Sequence, residues 1–400
     1  MTEIAYPLPE WATDEECRWM AQLRVTPQLL VDVATSPLTG MPQQKWLRER
    51  YPDDLVRAGL RLFEARQRAA AKFSKATEIW ADRVSIEQST AELVAQHKAK
   101  RFNATTWDLC CGMGGDAVAI AAQTDVTAVD SSPAMCLRTL WNGELYGVAE
   151  RLQVRCADVH TLPGDVCGLV HIDPDRRPFS SGRMSRVEDY VPSLDFLLVL
   201  MSRVDGGAIK VGPASNFGGK FGPVETELIS LHGECKEATL WFGSLMGTTP
   251  FRATVLPSGE TIAGHPLDAV AEQSGLGAYV FDPDPAVVRA GLVDLLAERL
   301  NLRRLDPAEE YLTGDHPLTS PFVQTFSVLE ELPNNDREIR HAVRRREWGA
   351  VEIKCRHVPI AAESVRKKLP LEGKTPGVIF YLRIAGKTRC VLAQRVPSSN

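Results

Sequence analysis

Long apolar runs are missing from this 400-residue chain. Stretches such as Phe196-Leu-Leu-Val-Leu-Met201 reach a third of the roughly eighteen residues that a membrane-crossing helix needs, so no membrane span is expected. The opening Met1-Thr-Glu-Ile-Ala-Tyr-Pro7 lacks the basic start and apolar core of a secretory leader, which points to the cytoplasm. Nine cysteines occur, but apart from the Cys110-Cys111 pair they stand singly. No C-x-x-C and no Cys/His spacing suited to tetrahedral zinc is present, so reduced thiols and no bound metal are expected. Internal repeats and low-complexity tracts are absent too.

What the chain has is the composition of an ordinary globular protein, 44% apolar and 24% charged. Its length suits two or three domains, with cores that need no disulfide or metal. Charge is unevenly spread. From Glu331 to Asn400 there are 15 lysines and arginines against 7 aspartates and glutamates, a net +8. With −5 on the whole chain, residues 1–330 carry −13. A basic end on an acidic body suits either a module that binds a polyanion or a plain solvated face.

Residues 1–102 read as a helical N-terminal region, with apolar positions recurring at three and four, as in Leu55, Leu60, Leu62 and Phe63. Ser89-Thr-Ala-Glu92 has the form of a capping box and predicts a helix running to about Phe102. From Thr105 short apolar strands alternate with helices, which predicts a parallel sheet with crossovers. Strands are expected at Thr106–Cys110, Val126–Val129, Leu152–Cys156, Cys167–Ile172, Ala208–Val211, Ala238–Phe242 and Arg252–Leu256. The linker between the last two is too short for a helix, so those two are expected to pair antiparallel. The fold class is α/β, with a Rossmann-like, seven-stranded domain over residues 103–280. A helical connector is expected over 281–323, with one helix at about Ala286–Leu300. Residues 324–400 read as a small α+β domain.

The sharpest local signal is Trp107-Asp-Leu-Cys-Cys-Gly-Met-Gly-Gly-Asp116, a strand running into glycines that open a helix. Backbone N–H groups there can face a ligand closely. Taken alone the motif is ambiguous. Gly112-x-Gly114-x-x-Ala117 satisfies the dinucleotide fingerprint, and Asp130 lies 18 residues on, near the place of a ribose-binding acid. The acids separate the alternatives. Asp108, just inside the first strand's end, suits the cationic aminoacyl end of S-adenosylmethionine and disfavours a pyrophosphate. Asp130, ending the second strand, is placed to accept from both ribose hydroxyls. Asp158, after the third strand, can accept from an adenine amino group. The fourth strand ends in Val170-His-Ile-Asp-Pro-Asp-Arg-Arg-Pro178, beside the place of the methyl group. Any one of these acids could be a helix N-cap. Four together at the carboxyl ends of strands, where open α/β sheets bind ligands, favour a cofactor.

Here the chain resembles a known family. Residues 105–256 look like class I S-adenosylmethionine-dependent methyltransferases, and Leu109-Cys-Cys-Gly-Met-Gly-Gly-Asp116 is similar to the F-C-G-x-G-G-N form of trimethylguanosine synthases. The segment Gln88–His97 resembles the one that leads into that domain and lies over the cofactor, which implicates Gln88 and Thr90. From Gln324 onward, with Trp348-Gly-Ala-Val-Glu-Ile-Lys-Cys-Arg356, the chain resembles the THUMP-like domain of bacterial methyltransferases. The resemblance implies methyl transfer to a nucleobase nitrogen in tRNA or rRNA. It implies a cofactor set of Gln88, Thr90, Asp108, Cys110, Gly112, Gly114, Asp130, Ser131, Asp158 and Val159. It also implies Asp173 and Pro174 as the catalytic pair, orienting an amine, or Asp173 taking its proton.

One departure matters. Enzymes that methylate base nitrogens usually carry D/N/S-P-P-aromatic after the fourth strand, whereas this chain has Asp173-Pro-Asp-Arg-Arg177, without second proline or aromatic. Asp175, Arg176 and Arg177 are candidate substrate contacts, since a guanidinium can stack on a base or hold a phosphate. The arginines can equally pair with Asp175 or Glu188. In the tail, Arg344, Arg345 and Arg346 are candidate phosphate contacts. Cys235 and Cys355 lie in no motif that activates a thiolate, and His160 and His171 read as structural. Three other readings stay open: a small-molecule or protein methyltransferase, an NAD(P)-dependent oxidoreductase, and an RNA-binding protein without activity. The strand-end acids speak against the oxidoreductase, and the full set of cofactor acids against the last.

Overall fold

The computed structural model of the chain describes residues 6–162, 164–175 and 186–397. They fall into two compact units, Met1–Val224 with Thr239–Gly247, and Glu225–Ala238 with Thr248–Asn400.

In the first unit six helices precede any strand: α1 (Glu15–Val25), α2 (Pro27–Thr35), α3 (Gly40–Arg48), α4 (Asp53–Ala69), α5 (Arg83–Gln88) and α6 (Glu92–Ala99). Their ends have local causes. Asp14 caps α1 by accepting from the Cys17 N–H, and α2 begins on Pro27, whose missing donor costs nothing in the first turn. The α4 helix turns Leu55, Val56, Gly59, Leu62, Ala65 and Ala69 inward, the spacing of an amphipathic helix. The capping box lies earlier than the sequence suggested. Asp82 and Ser85 form it at the start of α5, whose C-cap is Ser89. Glu92 accepts instead from the backbone N–H and hydroxyl of Ser74.

Next alternate β1 (Thr106–Leu109), α7 (Gly115–Ala121), β2 (Val126–Asp130), α8 (Pro133–Tyr146), β3 (Leu152–Cys156), β4 (Leu169–Ile172), α9 (Leu194–Met201) and β5 (Gly206–Val211). Two strands follow, β6 (Glu225–Leu231) and β7 (Glu234–Gly243). In the first unit the order is β3-β2-β1-β4-β5, all parallel, with β7 beside β5. Every residue of β4 and β5 is buried, as in a sheet covered on both faces. The strand order reverses at β1, and the carboxyl ends of β1 and its neighbours form the crevice where such sheets bind ligands.

In the second unit β6 lies between β7 and β8 (Phe251–Leu256). β8 pairs parallel with β6 and antiparallel with β9 (Glu260–Gly264). The expected antiparallel pairing of β7 with β8 is therefore not formed, because β6 takes the place between them. The chain continues through β10 (Tyr279–Pro283), α10 (Pro285–Arg289), α11 (Val293–Leu300), β11 (Arg303–Arg304), β12 (Leu312–Gly314) and β13 (Val323–Pro333). It ends with α12 (Asp336–Arg345), β14 (Trp348–Cys355), α13 (Ala362–Arg366), β15 (Thr375–Ile384) and β16 (Lys387–Arg395). These last seven strands form one sheet of order β11-β12-β10-β13-β16-β15-β14. The single helix expected over Ala286–Leu300 is two, parted at Gly291, whose φ is +72°. Among the described residues no helix is long and apolar enough to cross a membrane, and no group of three or more His, Cys, Asp or Glu side chains is arranged to hold a metal ion.

Candidate active site

The glycine loop between β1 and α7 is held from two sides. Gly112 and Gly114 have φ of +56° and +86°, a backbone region that strains other residues. At Gly114 a Cβ would also lie 3.0 Å from the Thr139 side chain, so α8 comes close against the loop. From α8 the Thr139 hydroxyl donates to the Gly112 carbonyl at 2.8 Å, and the Asn142 amide to the Met113 carbonyl at 2.9 Å. From the end of β2, Asp130 accepts the Gly112 N–H on one oxygen and the Ser132 N–H on the other, each at 2.9 Å. Burial pushes the Asp130 carboxyl up, against the pull of those donors.

The loop borders a cleft of about 420 Å³, within the size range of small-molecule sites. Of the residues singled out in the sequence, Gln88, Thr90, Asp108, Cys110, Gly112, Asp130, Ser131, Asp158, Val159, Asp173, Pro174 and Asp175 line it. Gly114 does not; it packs on Thr139. Arg176 and Arg177 lie outside the described residues. Arg344, Arg345 and Arg346 belong to the second unit. There Arg345 and Arg346 each lie 2.6 Å from Glu330, while Arg344 is exposed.

The strand-end acids differ in what holds them. Asp158 accepts from the backbone N–H of His160 at 2.9 Å and lies 2.7 Å from its ring Nδ1, and these contacts hold its carboxyl below the usual range. Asp173 Oδ2 lies 2.6 Å from Nζ of Lys210, a lysine of β5 that is only 3% exposed. That Nζ is also 3.5 Å from the Gln88 main-chain oxygen. The Asp175 backbone exchanges hydrogen bonds with Val191 at 2.7 and 3.0 Å.

Beneath the loop lies a network that the sequence reading missed. Asp108 and His171 sit opposite each other in the β1–β4 register, with Oδ1 and Nδ1 2.6 Å apart. Lys98 Nζ is 2.8 Å from Asp116 Oδ1 and 3.4 Å from His171 Nε2. The Thr90 hydroxyl donates to Asp116 Oδ2 at 2.6 Å. All five residues are buried, and Asp108 Oδ2 has no hydrogen-bond partner. Burial pushes the Asp108 carboxyl up. At Asp116 burial acts in the same direction, but the Lys98 ammonium outweighs it and holds the carboxyl well below its ordinary value. The lysines carried a readable signal. Lys98 falls among Val94, Ala95 and Ala99 on the buried face of α6, and Lys210 lies inside an all-buried strand. A charge in such a place needs a buried partner.

Burial pushes the Cys110 and Cys111 thiols up strongly, and Cys235 up to about 12, which disfavours the thiolate at these three positions.

Comparison with known proteins identifies relatives of the chain. Residues 103–208 match the family described as RNA cap guanine-N2 methyltransferase, and residues 323–395 the family described as THUMP domain-like. Two uncharacterized S-adenosylmethionine-dependent methyltransferases of Mycobacterium tuberculosis, from strains CDC 1551 and H37Rv, are each 34% identical over 307 residues, covering 75% of this chain and 83% of theirs. A candidate methyltransferase of known structure from Porphyromonas gingivalis W83 shares the fold, with a TM-score of 0.74 at 17% identity over 94% of this chain and 99% of its own. On the identity and coverage of the mycobacterial relatives, the chain belongs to the S-adenosylmethionine-dependent methyltransferases.

Proposed function

We propose that the protein transfers the methyl group of S-adenosylmethionine to a nitrogen of a nucleobase in tRNA or rRNA. The observation that carries the acceptor half is Asp173, a carboxylate at the cleft directly after β4, held at 2.6 Å by the buried Lys210. The matches of residues 103–208 and 323–395 to an RNA methyltransferase family and a THUMP domain-like family support RNA as the substrate.

The cofactor supplies an activated methyl group on a sulfonium, and the cleft suits it from end to end. The orphaned Asp108 Oδ2 faces the need of its ammonium. Each Asp130 oxygen keeps acceptor capacity for a ribose hydroxyl after its backbone bond. Asp158 suits the adenine amino group, and Gln88, Thr90, Cys110, Gly112, Ser131 and Val159 supply walls; Gly114 acts one step back, through the turn. Asp173 and the main chain at Pro174 orient the amine for in-line displacement, which needs chiefly proximity. Arg176 and Arg177 are assigned the base or phosphate contact that the missing aromatic would make, with Asp175 beside them.

Among the described residues carboxylates outnumber lysines in and under this cleft, so a further surface is needed to attract phosphates. That surface is assigned to the basic tail, with Arg344 foremost and Arg345 and Arg346 held back by Glu330. Functionally the chain divides into the helical region 1–102, the methyltransferase domain 103–280, the connector 281–323 and the THUMP-like domain 324–400, and it acts in the cytoplasm. Mass spectrometry of RNA nucleosides from cells lacking the gene tests the reading. One methylated nucleoside should vanish, returning with the wild-type gene and not with Asp173→Asn. Unchanged RNA nucleosides would move the acceptor to a small molecule or protein, which an acid-lined cleft also suits.

A further inference from the structure

We propose that Lys98 and His171 are positioning residues for the aminoacyl end of the cofactor: Lys98 fixes the tautomer of His171, which presents Asp108 Oδ2 as the anchor for the α-ammonium. The inference rests on the cofactor and is independent of the acceptor. A lysine ammonium has three donors and no acceptor. Its Nζ, 3.4 Å from His171 Nε2, therefore requires a lone pair on Nε2. The single ring N–H then sits on Nδ1 and donates to Asp108 Oδ1, 2.6 Å away. A doubly protonated ring would set an N–H against the ammonium.

The charges settle what the network lacks. Lys98 and Asp116 cancel across 2.8 Å, Thr90 satisfies the second Asp116 oxygen, and the ring is neutral. One negative charge remains, on Asp108, whose Oδ1 is taken by His171 and whose Oδ2 has no partner. A buried carboxylate left so is costly, and Asp108 lines the cleft. A ligand cation relieves that cost. The aminoacyl end of S-adenosylmethionine offers such a cation, whereas its adenosine belongs with Asp130 at the end of β2 and Asp158 just after β3.

Two ligands separate the ends. S-adenosylhomocysteine carries the aminoacyl group, and 5′-methylthioadenosine has the same adenosine and thioether without it. Calorimetry on the full chain should show His171→Leu binding the first at least about tenfold more weakly, as loss of a charge-assisted contact implies, with the second changed less than about twofold. His171→Asn, whose amide takes the place of Nδ1, should restore most of the difference. The double variant Lys98→Met with Asp116→Asn removes both charges together and carries the test if His171→Leu does not fold; it too should weaken only S-adenosylhomocysteine. Equal weakening of both ligands would reduce the network to a structural role, and unchanged S-adenosylhomocysteine affinity would overturn the proposal. If the wild-type protein bound neither ligand, the cofactor assignment itself would fail.

Discussion

Asp130 holds the glycine loop through both carboxyl oxygens and also lines the cleft. Asp130→Ala should therefore act twice. Loss of ribose contacts worth about 1.5–3 kcal/mol each should weaken S-adenosylhomocysteine at least tenfold. Loss of the two N–H contacts should lower unfolding stability by about 1–3 kcal/mol. Calorimetry and denaturant unfolding read the two effects separately, and unaltered affinity in the folded variant would remove the ribose assignment. Asp173→Asn should slow the single-turnover rate roughly 100- to 10,000-fold while cofactor binding changes little; a rate within about threefold of wild type would pass the role to Asp175. At Asp108 burial raises the carboxyl, with His171 and Lys98 opposing and Asp116 reinforcing. The group thus gains its proton at a higher pH than an ordinary aspartate, and only its ionised form attracts an ammonium. Affinity for S-adenosylhomocysteine should fall as pH drops through that raised value, and fall further than that of 5′-methylthioadenosine, which shares the ribose contact with Asp130 but has no ammonium for Asp108. Parallel pH profiles for the two ligands would contradict the assignment.

Among the elements, the sequence was most legible where apolar pattern and burial coincide. β1 to β5 were readable because their apolar runs are short and bounded by turn residues. β6 escaped because Glu225-Thr-Glu227 looks polar, yet all seven of its residues are buried. The structure satisfies those acids: Glu225 lies 2.6 Å from Arg252, and Glu227 accepts from the Thr254 hydroxyl at 2.5 Å. Both partners sit on β8, so the strand that looked fit to pair with β7 pairs with β6 instead. Ser89-Thr-Ala-Glu92 misled for a similar reason, since Glu92 found Ser74, 18 residues away in the chain. Composition alone does not reveal a distant partner. The loop itself offers a sharp test. Gly114→Ala combines a positive φ with a Cβ 3.0 Å from Thr139, and should cost about 1–3 kcal/mol of stability along with cofactor affinity. A thermal transition unchanged within error would mean that α8 gives way more easily than the packing indicates.

At the scale of the whole molecule, the acids at the strand ends were legible because a parallel sheet places its carboxyl ends together, whatever the long-range detail. The partners of the buried lysines were not, because pairing Lys98 with Asp116 and Lys210 with Asp173 needs three-dimensional proximity. The uneven charge was plain from the sequence, but which tail arginines are available was not. With Arg345 and Arg346 on Glu330, Arg344→Ala alone should flatten the log–log salt dependence of single-stranded RNA binding by about 0.7. A cut near Glu330 would pass through β13, which pairs with both β10 and β16, so the full chain is the form to use. The central claim is transfer of a methyl group to an RNA base, and the most direct test is purified full-length protein incubated with labelled S-adenosylmethionine and total RNA. Label should appear in one N-methylated nucleoside and be lost with Asp173→Asn, although that variant still binds S-adenosylhomocysteine. Label found only in protein or small molecules, with RNA unlabelled, would contradict the account.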